Sequence, residues 1–449
     1  MSLASTFADF FSELDELPCD VRKKALTCVL NNAGLGRAVV DDPLNRKADA
    51  AAALVFGEGD RSATRLFSGE KGSLGAAAFA NGAVMGAMGR ADTLGTIHVG
   101  QVVTPVVLAI AEAEGISSDL FLKAIVAGYE VGGRLDRAVG EAGAGSGFRS
   151  TAVNGAVAAA ASAGVAMQLG KAELASALSM AASMTGGTLQ TFIDGSDEPH
   201  LQAGWAAQLG VMAAAAARTG LVGARQALEG NAGILRGVAR SQEDYSGLFD
   251  DFGSKWFILE TTFKPFPVCA FAQTACYLGL DLRGQIEPGG VAEMTIRLNP
   301  REAAYPGLDF AGPFETTLET AMSALFAVAH GIVHGEPVRM RSLSLFDDAE
   351  MSDLLAKMKL VGDPQVPALS AVADITLSDG SRLSQERKMS AADYAFGMEE
   401  VVEMVRRALS EGVDPEQAVL VFERMAQSAT QNDALEVNDL LALFERNRD

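Results

Sequence analysis

Residues 150–170 read STAVNGAVAAAASAGVAMQLG, a run with no charged side chain. A run this long would cross a membrane if it were built of large apolar residues. Alanine, glycine and serine carry too little transfer energy for that. Helices apolar on every side are buried, and side chains this small let neighbouring helices approach closely. The stretch therefore predicts a central helix packed all round in a protein core, with no membrane involvement.

The surrounding chain fits that centre. From about 1 to 265, Ala, Leu, Val and Met recur at helical spacing and glycines punctuate the segments. The character changes after FKPFPVCAFAQTACYLGL. Residues 292–299 alternate like a half-buried strand, 319–334 reads as a helix, and 369–377 with 381–388 flank the turn signal SDG as a hairpin. From about 391 the pattern is helical again, with MEEVVEMVRRALSEG and DPEQAVLVFERMAQ both amphipathic. A chain of 449 residues exceeds what one core usually supports. The expected fold is mainly α: a large all-helical domain built from both chain ends, 1–266 and 391–449, with a smaller inserted α+β domain at 267–390.

Charge narrows the partners. With 36 basic against 57 acidic residues the net charge is -21, which repels a phosphate backbone and argues against nucleic acid. A small anionic ligand needs a local cationic pocket to offset that field. The N-terminal MSLASTFADFFSELDELP lacks the basic start of a secretory signal, so a cytoplasmic protein is expected. Cys19, Cys28, Cys269 and Cys276 form no CxxC pair, and the four histidines fall in no metal-binding pattern. Neither metal nor cofactor is expected.

Four stretches carry chemistry. In ADTLGTIHVGQVVTPVVLAIAEAEG, 91–115, Thr104 and Pro105 predict a helix start and Gly115 its end, leaving Asp92, Thr93, Thr96 and His98 in the preceding loop. His98 is the natural acid–base group near neutral pH. In GEAGAGSGFRSTAVNGAVAAA, 140–160, no strand precedes the glycines, which argues against a dinucleotide site. There the helix start, the Ser150 and Thr151 hydroxyls and the Arg149 guanidinium can converge on a carboxylate, or Arg149 can merely cap a surface turn. His200 precedes another Ala-rich helix. Lys264, set among aromatics and prolines, suits proton abstraction or carboxylate binding if desolvated, or else snorkels to solvent. His330 reads as a core residue and His334, beside Gly335, as part of a helix end.

Taken in order, NG before the 91–98 loop, AIVAGYEVGGRL at 124–135, GF-x-x-TAVNG at 147–155, HLQAGWAA at 200–207 and KPFPVC at 264–269 resemble the MmgE/PrpD family. The resemblance implies a helical domain beside an α+β domain with the active site between them, a homodimer, and proton movement next to a carboxylate in a small di- or tricarboxylate. Family members include 2-methylcitrate dehydratase, cis-aconitate decarboxylase and iminodisuccinate epimerase. This chain departs from the family pattern: Gly86 stands for a histidine, Gly89 and Ala91 for two acids, Arg149 for a histidine, Pro199 for a lysine, and Gln273 near an expected histidine. Elimination needs a base plus an acid for the leaving group, whereas epimerisation needs only one proton carrier on each face. The expectation is thus a cofactor-independent epimerase with His98, Lys264 and Asp92 catalytic, and Arg149, Thr93, Thr96, Thr151, His200 and Gln273 binding substrate. Lyase chemistry on a related tricarboxylate, or polycarboxylate binding without catalysis, are the alternatives.

Overall fold

The computed structural model describes residues 1–56 and 62–445. Residues 57–61 and 446–449 of the expected helical domain lie outside the described residues. The chain is mainly helical. Its first part runs α1 (Leu3–Glu13), α2 (Cys19–Ala38), α3 (Pro43–Phe56), a short hairpin of β1 (Ala63–Arg65) and β2 (Glu70–Gly72), α4 (Leu74–Gly86), α5 (Gly100–Glu114), α6 (Ser118–Gly145), α7 (Ser150–Ala166), α8 (Lys171–Met184), α9 (Gln190–Ile193), α10 (Glu198–Arg218) and α11 (Ile234–Ala239). That hairpin corrects the expectation of a purely helical segment.

The uncharged stretch is α7, and every residue from Thr151 to Ala166 is buried. It packs against α5, α6, α8 and α10. Small side chains set these distances. On α10, a Cβ added at Gly204 would lie 2.3 Å from the Phe79 carbonyl oxygen of α4, so only glycine fits between the two backbones.

The remainder contains α12 (Gln273–Leu282), β3 (Val291–Leu298), α13 (Pro300–Ala303), α14 (Thr317–Met322), α15 (Ala324–His334), α16 (Ala349–Leu355), β4 (Met358–Gly362), β5 (Ala371–Leu377) and β6 (Arg382–Arg387). It closes with α17 (Met398–Ser410), α18 (Pro415–Asn432) and α19 (Val437–Leu443). The sheet order is β4-β3-β5-β6, with β3 and β4 parallel and the other pairs antiparallel. The expected 319–334 helix is broken at Ser323, whose hydroxyl caps α15 at the Phe326 N–H (2.9 Å). One hydrophobic core gathers residues from Leu3 to Phe263 and from Val401 to Phe444, and a second runs from Phe266 to Ile375. The chain passes from one to the other at Lys264 and Pro265. No described helix is long and apolar enough to cross a membrane.

The start of α5 also differs from the Thr104–Pro105 expectation. The helix begins at Gly100, with Pro105 inside it. The Asp92 carboxylate accepts the Gly100 N–H (3.2 Å), supplying a cap from across the loop. Gly115 ends the helix in the left-handed conformation, as its position predicts.

The α4–α10 contact yields a direct expectation. Gly204→Val forces the backbones apart, and overpacking of this kind costs about 3 kcal/mol. Urea denaturation checks it, and an unchanged midpoint would show that the contact can relax.

Candidate active site

The loop from Asp92 to His98 is fixed from three directions. Thr93 pairs through its backbone with Thr262, its N–H donating to the Thr262 carbonyl (2.9 Å) and its carbonyl accepting from the Thr262 N–H (2.8 Å). This brings Lys264 to the loop. From α6, the Asp136 carboxylate accepts the Thr96 N–H (2.8 Å) and the Thr96 hydroxyl (2.6 Å), and also the Ser150 hydroxyl at the start of α7 (2.5 Å). From α7, the Thr151 hydroxyl oxygen accepts the His98 N–H (3.1 Å). Gly95, at φ +67°, allows the tight turn, and a Cβ there would strike Asp136 at 2.3 Å.

His98 Nδ1 lies 2.8 Å from the Asp92 carbonyl oxygen and 3.3 Å from the Thr93 hydroxyl. A carbonyl only accepts, so Nδ1 carries the proton and the free lone pair of the neutral ring is on Nε2. Burial lowers the His98 pKa well below its ordinary value, and the nearby charges of Lys264 and Arg149 lower it further. The imidazole is neutral at physiological pH.

Lys264 is 3% exposed, and its ammonium has no hydrogen-bond or ion-pair partner among the described residues. Burial pushes its pKa down to about 8; Cys269 and Asp92 oppose the shift, while Arg149 and Arg90 reinforce it. Arg149 donates to the Pro199 carbonyl (2.6 Å) and to Gln202 Oε1 (3.1 Å), and lies over the Phe192 ring at 5.1 Å. All of these are neutral. No described carboxylate pairs with it, and burial lowers its pKa.

A cavity of about 740 Å³ brings His98, Lys264, Arg149, Thr93, Thr96, Thr151 and His200 together on its wall. His200 Nε2 is held by Asn45 Oδ1 (2.8 Å). Tyr305 and Cys269 also line it, unforeseen from sequence, and burial raises the pKa of each so that both stay protonated. Gly86 and Gly89 line it as well.

Two expected residues belong elsewhere. The Asp92 carboxylate is fully buried and points away from the cavity, accepting from Asn32 Nδ2 (3.0 Å), the Gly100 N–H and the Tyr129 hydroxyl. It shapes the loop and holds His98 through its backbone carbonyl, and it does not line the cavity in which it was expected to act. Gln273 likewise does not reach this cavity. Its amide accepts the Phe266 N–H (3.1 Å) and donates to the carbonyls of Phe266 (3.1 Å) and Val268 (3.0 Å), stapling the turn that follows Lys264. Its amide is thus taken up by the backbone of that turn, away from the cavity in which it was expected to bind substrate. His330 is buried in the second core, and His334 pairs with Asp348 (3.1 Å), both away from the site. Asp136 was missed, because an acid in a helix ordinarily reads as part of a solvated face; its only signal was its place among small, apolar neighbours in EVGGRLDRAVG. Among the described residues no group of three or more His, Cys, Asp or Glu is arranged to hold a metal ion.

The chain is mainly helical with a small mixed sheet, and its cavity is lined by a neutral imidazole, a buried ammonium and a guanidinium that no described carboxylate pairs with. A family model described as the MmgE/PrpD N-terminal domain matches residues 5–245, and the chain belongs to the MmgE/PrpD family, whose members are generally lyases or isomerases. Among curated proteins no match is found.

Asp136→Ala strands the Thr96 and Ser150 donors together. Removing the acceptor of several part-buried hydrogen bonds costs about 3 kcal/mol. Chemical denaturation should show that loss; stability equal to the parent would mean that the loop is held without Asp136.

Proposed function

We propose that the protein is a cofactor-independent epimerase that removes and returns the α-proton of a small polycarboxylate such as iminodisuccinate. The observation that supports this reading is the presence, in the lining of one cavity, of a neutral imidazole with a free Nε2, an ammonium without a partner among the described residues, and an arginine not engaged by any described carboxylate. In this scheme the remaining N–H groups of Arg149 grip one substrate carboxylate. His98 Nε2 takes the α-proton, and the electron pair of the broken C–H bond moves into the adjacent carboxylate as an enediolate. The Lys264 ammonium stabilises that charge and delivers a proton to the opposite face of the carbon. The His98 imidazolium then releases its proton and Lys264 regains one, or the next substrate of opposite configuration runs the cycle backwards. The reading also divides the chain into 1–266 with 391–449 and 267–390, with the chemistry at the junction.

A lyase acting on a 2-methylcitrate-like or cis-aconitate-like tricarboxylate is the second reading, favoured by one observation. Tyr305 and Cys269, both protonated on the cavity wall, are acids that could assist a leaving group.

In heavy water, configurationally pure iminodisuccinate should be inverted with one deuterium placed at the inverted centre and the carbon skeleton intact. His98→Ala and Lys264→Ala should each abolish inversion, although one of them can still exchange the proton with retention on its own face. Release of water, carbon dioxide or ammonia would move the protein to the lyase reading, and full activity of both variants would remove these residues from the mechanism.

The two pKa shifts also fix the sign of the pH dependence. His98 acts as the neutral ring, whose pKa lies well below 6.5, so the acid limb falls below the neutral range. Lys264 acts as the ammonium and is lost as pH rises through about 8. The profile of kcat/KM should therefore fall on the alkaline side near that pH, and Lys264→Arg, if active at all, should lose this limb. An alkaline limb retained in Lys264→Arg assigns it to another group.

A further inference from the structure

Lys264 borders a second cavity of about 440 Å³, which both partners of the Thr93–Thr262 pairing also line. The two cavities share Thr93, Gly95, Lys264, Ala270 and Phe271 as a common wall. Their chemistry differs. Phe257, Phe263, Phe271, Tyr394, Leu94 and Leu369 give the second cavity an aromatic and aliphatic lining. Its other charged groups are already neutralised or bonded: Arg137 pairs with Glu260 (2.5 Å), which Lys255 also reaches (3.0 Å), and Asp136 is engaged by Thr96 and Ser150. Lys264, nine-tenths or more buried and without a partner, is the one uncompensated charge among the described groups that line it.

We propose that this second cavity is a binding site for a monocarboxylate with an apolar, preferably aromatic, body, its carboxylate on Lys264 and its body against the phenyl rings. A second carboxylate would face Glu260 and Asp136 with no free cation to meet it, which separates this ligand class from polycarboxylates. Because both cavities draw on one ammonium, their ligands oppose each other without overlapping. By linkage each weakens the other by the same factor, making the second site an inhibitory one. The site itself stands on the cavity and on Lys264; only its antagonism with substrate rests on the function proposed above.

Isothermal titration of the full chain tests this with phenylacetate and with tricarballylate, an unreactive tricarboxylate. Phenylacetate should bind the parent, bind Ala392→Phe at least about tenfold more weakly, fail with Lys264→Met, and bind Arg149→Gln within about twofold of the parent. Ala392 is exposed on the 391–394 turn and lines only the second cavity, so the larger side chain fills it without entering the first core. Tricarballylate should show the reverse dependence on Arg149 and Ala392, and saturation with either ligand should weaken the other equally. Phenylacetate affinity that follows Arg149 and ignores Ala392, or no binding at millimolar concentration, would overturn the site. If phenylacetate behaves as stated while tricarballylate does not bind, the polycarboxylate reading fails and this site stands.

Discussion

Two backbone hydrogen bonds, between Thr93 and Thr262, hold together what the rest of the chain keeps apart. His98 lies on a loop before α5, built into the first core, and Lys264 lies where the chain crosses to the second. Neither loop has a regular partner of its own, and a buried backbone group left unpaired costs as much as a lost hydrogen bond. Pairing the loops with each other satisfies both and brings His98 and Lys264 to the lining of one cavity. Both partners of that pairing also line the second cavity that Lys264 borders.

The buried polar groups of α6 make that arrangement rigid. Tyr129 donates to Asp92, Glu130 accepts the Ile258 N–H (3.0 Å), Arg134 donates to the Lys255 carbonyl (2.9 Å), and Asp136 holds Thr96 and Ser150. One helix thus fixes the loop before α5, the start of α7 and the segment leading to Lys264. The cost is visible in the acids. Burial raises the pKa values of Asp92, Glu130 and Asp136 although each accepts hydrogen bonds, so desolvation outweighs the donors. These groups contribute geometry more than stability, as buried ionic networks often do.

Legibility in the sequence followed the range of the interaction. The buried α7, the strand β3 and the β5–β6 hairpin were readable because period and turn chemistry are local. The start of α5 was misplaced because its cap, Asp92, lies eight residues away and acts through space. The strand β4 was missed because it is a short, mostly exposed edge without alternation, and the β1–β2 hairpin because each strand has three residues. His98, Lys264 and Arg149 stood out as rare polar groups in apolar surroundings, and the fold does gather them. Asp92 and Gln273 stood out for the same reason, yet composition cannot say which way a side chain points. Both turn toward backbone groups that need them.

Charge explains how a chain with a net charge of -21 can still receive an anion. At physiological ionic strength the field of surface carboxylates is screened over about 8 Å, so the overall charge slows approach but does not govern what happens inside a cavity. There, Arg149 and Lys264 form no ion pair with a described carboxylate; burial lowers the pKa values of His98 and Lys264, and neighbouring cations, Arg149 among them, lower both further. Under the function proposed above, a carboxylate entering the cavity relieves part of that repulsion and favours the ammonium form of Lys264. Gly86 and Gly89 add no acid–base group to the lining, whose titratable residues include His98, Lys264, His200, the protonated Tyr305 and Cys269, and the carboxylic acids Asp41, Asp42, Asp197, Glu315 and Glu411. Under the proposed epimerase reading, moving one proton between two faces of a carbon calls on only two of these groups.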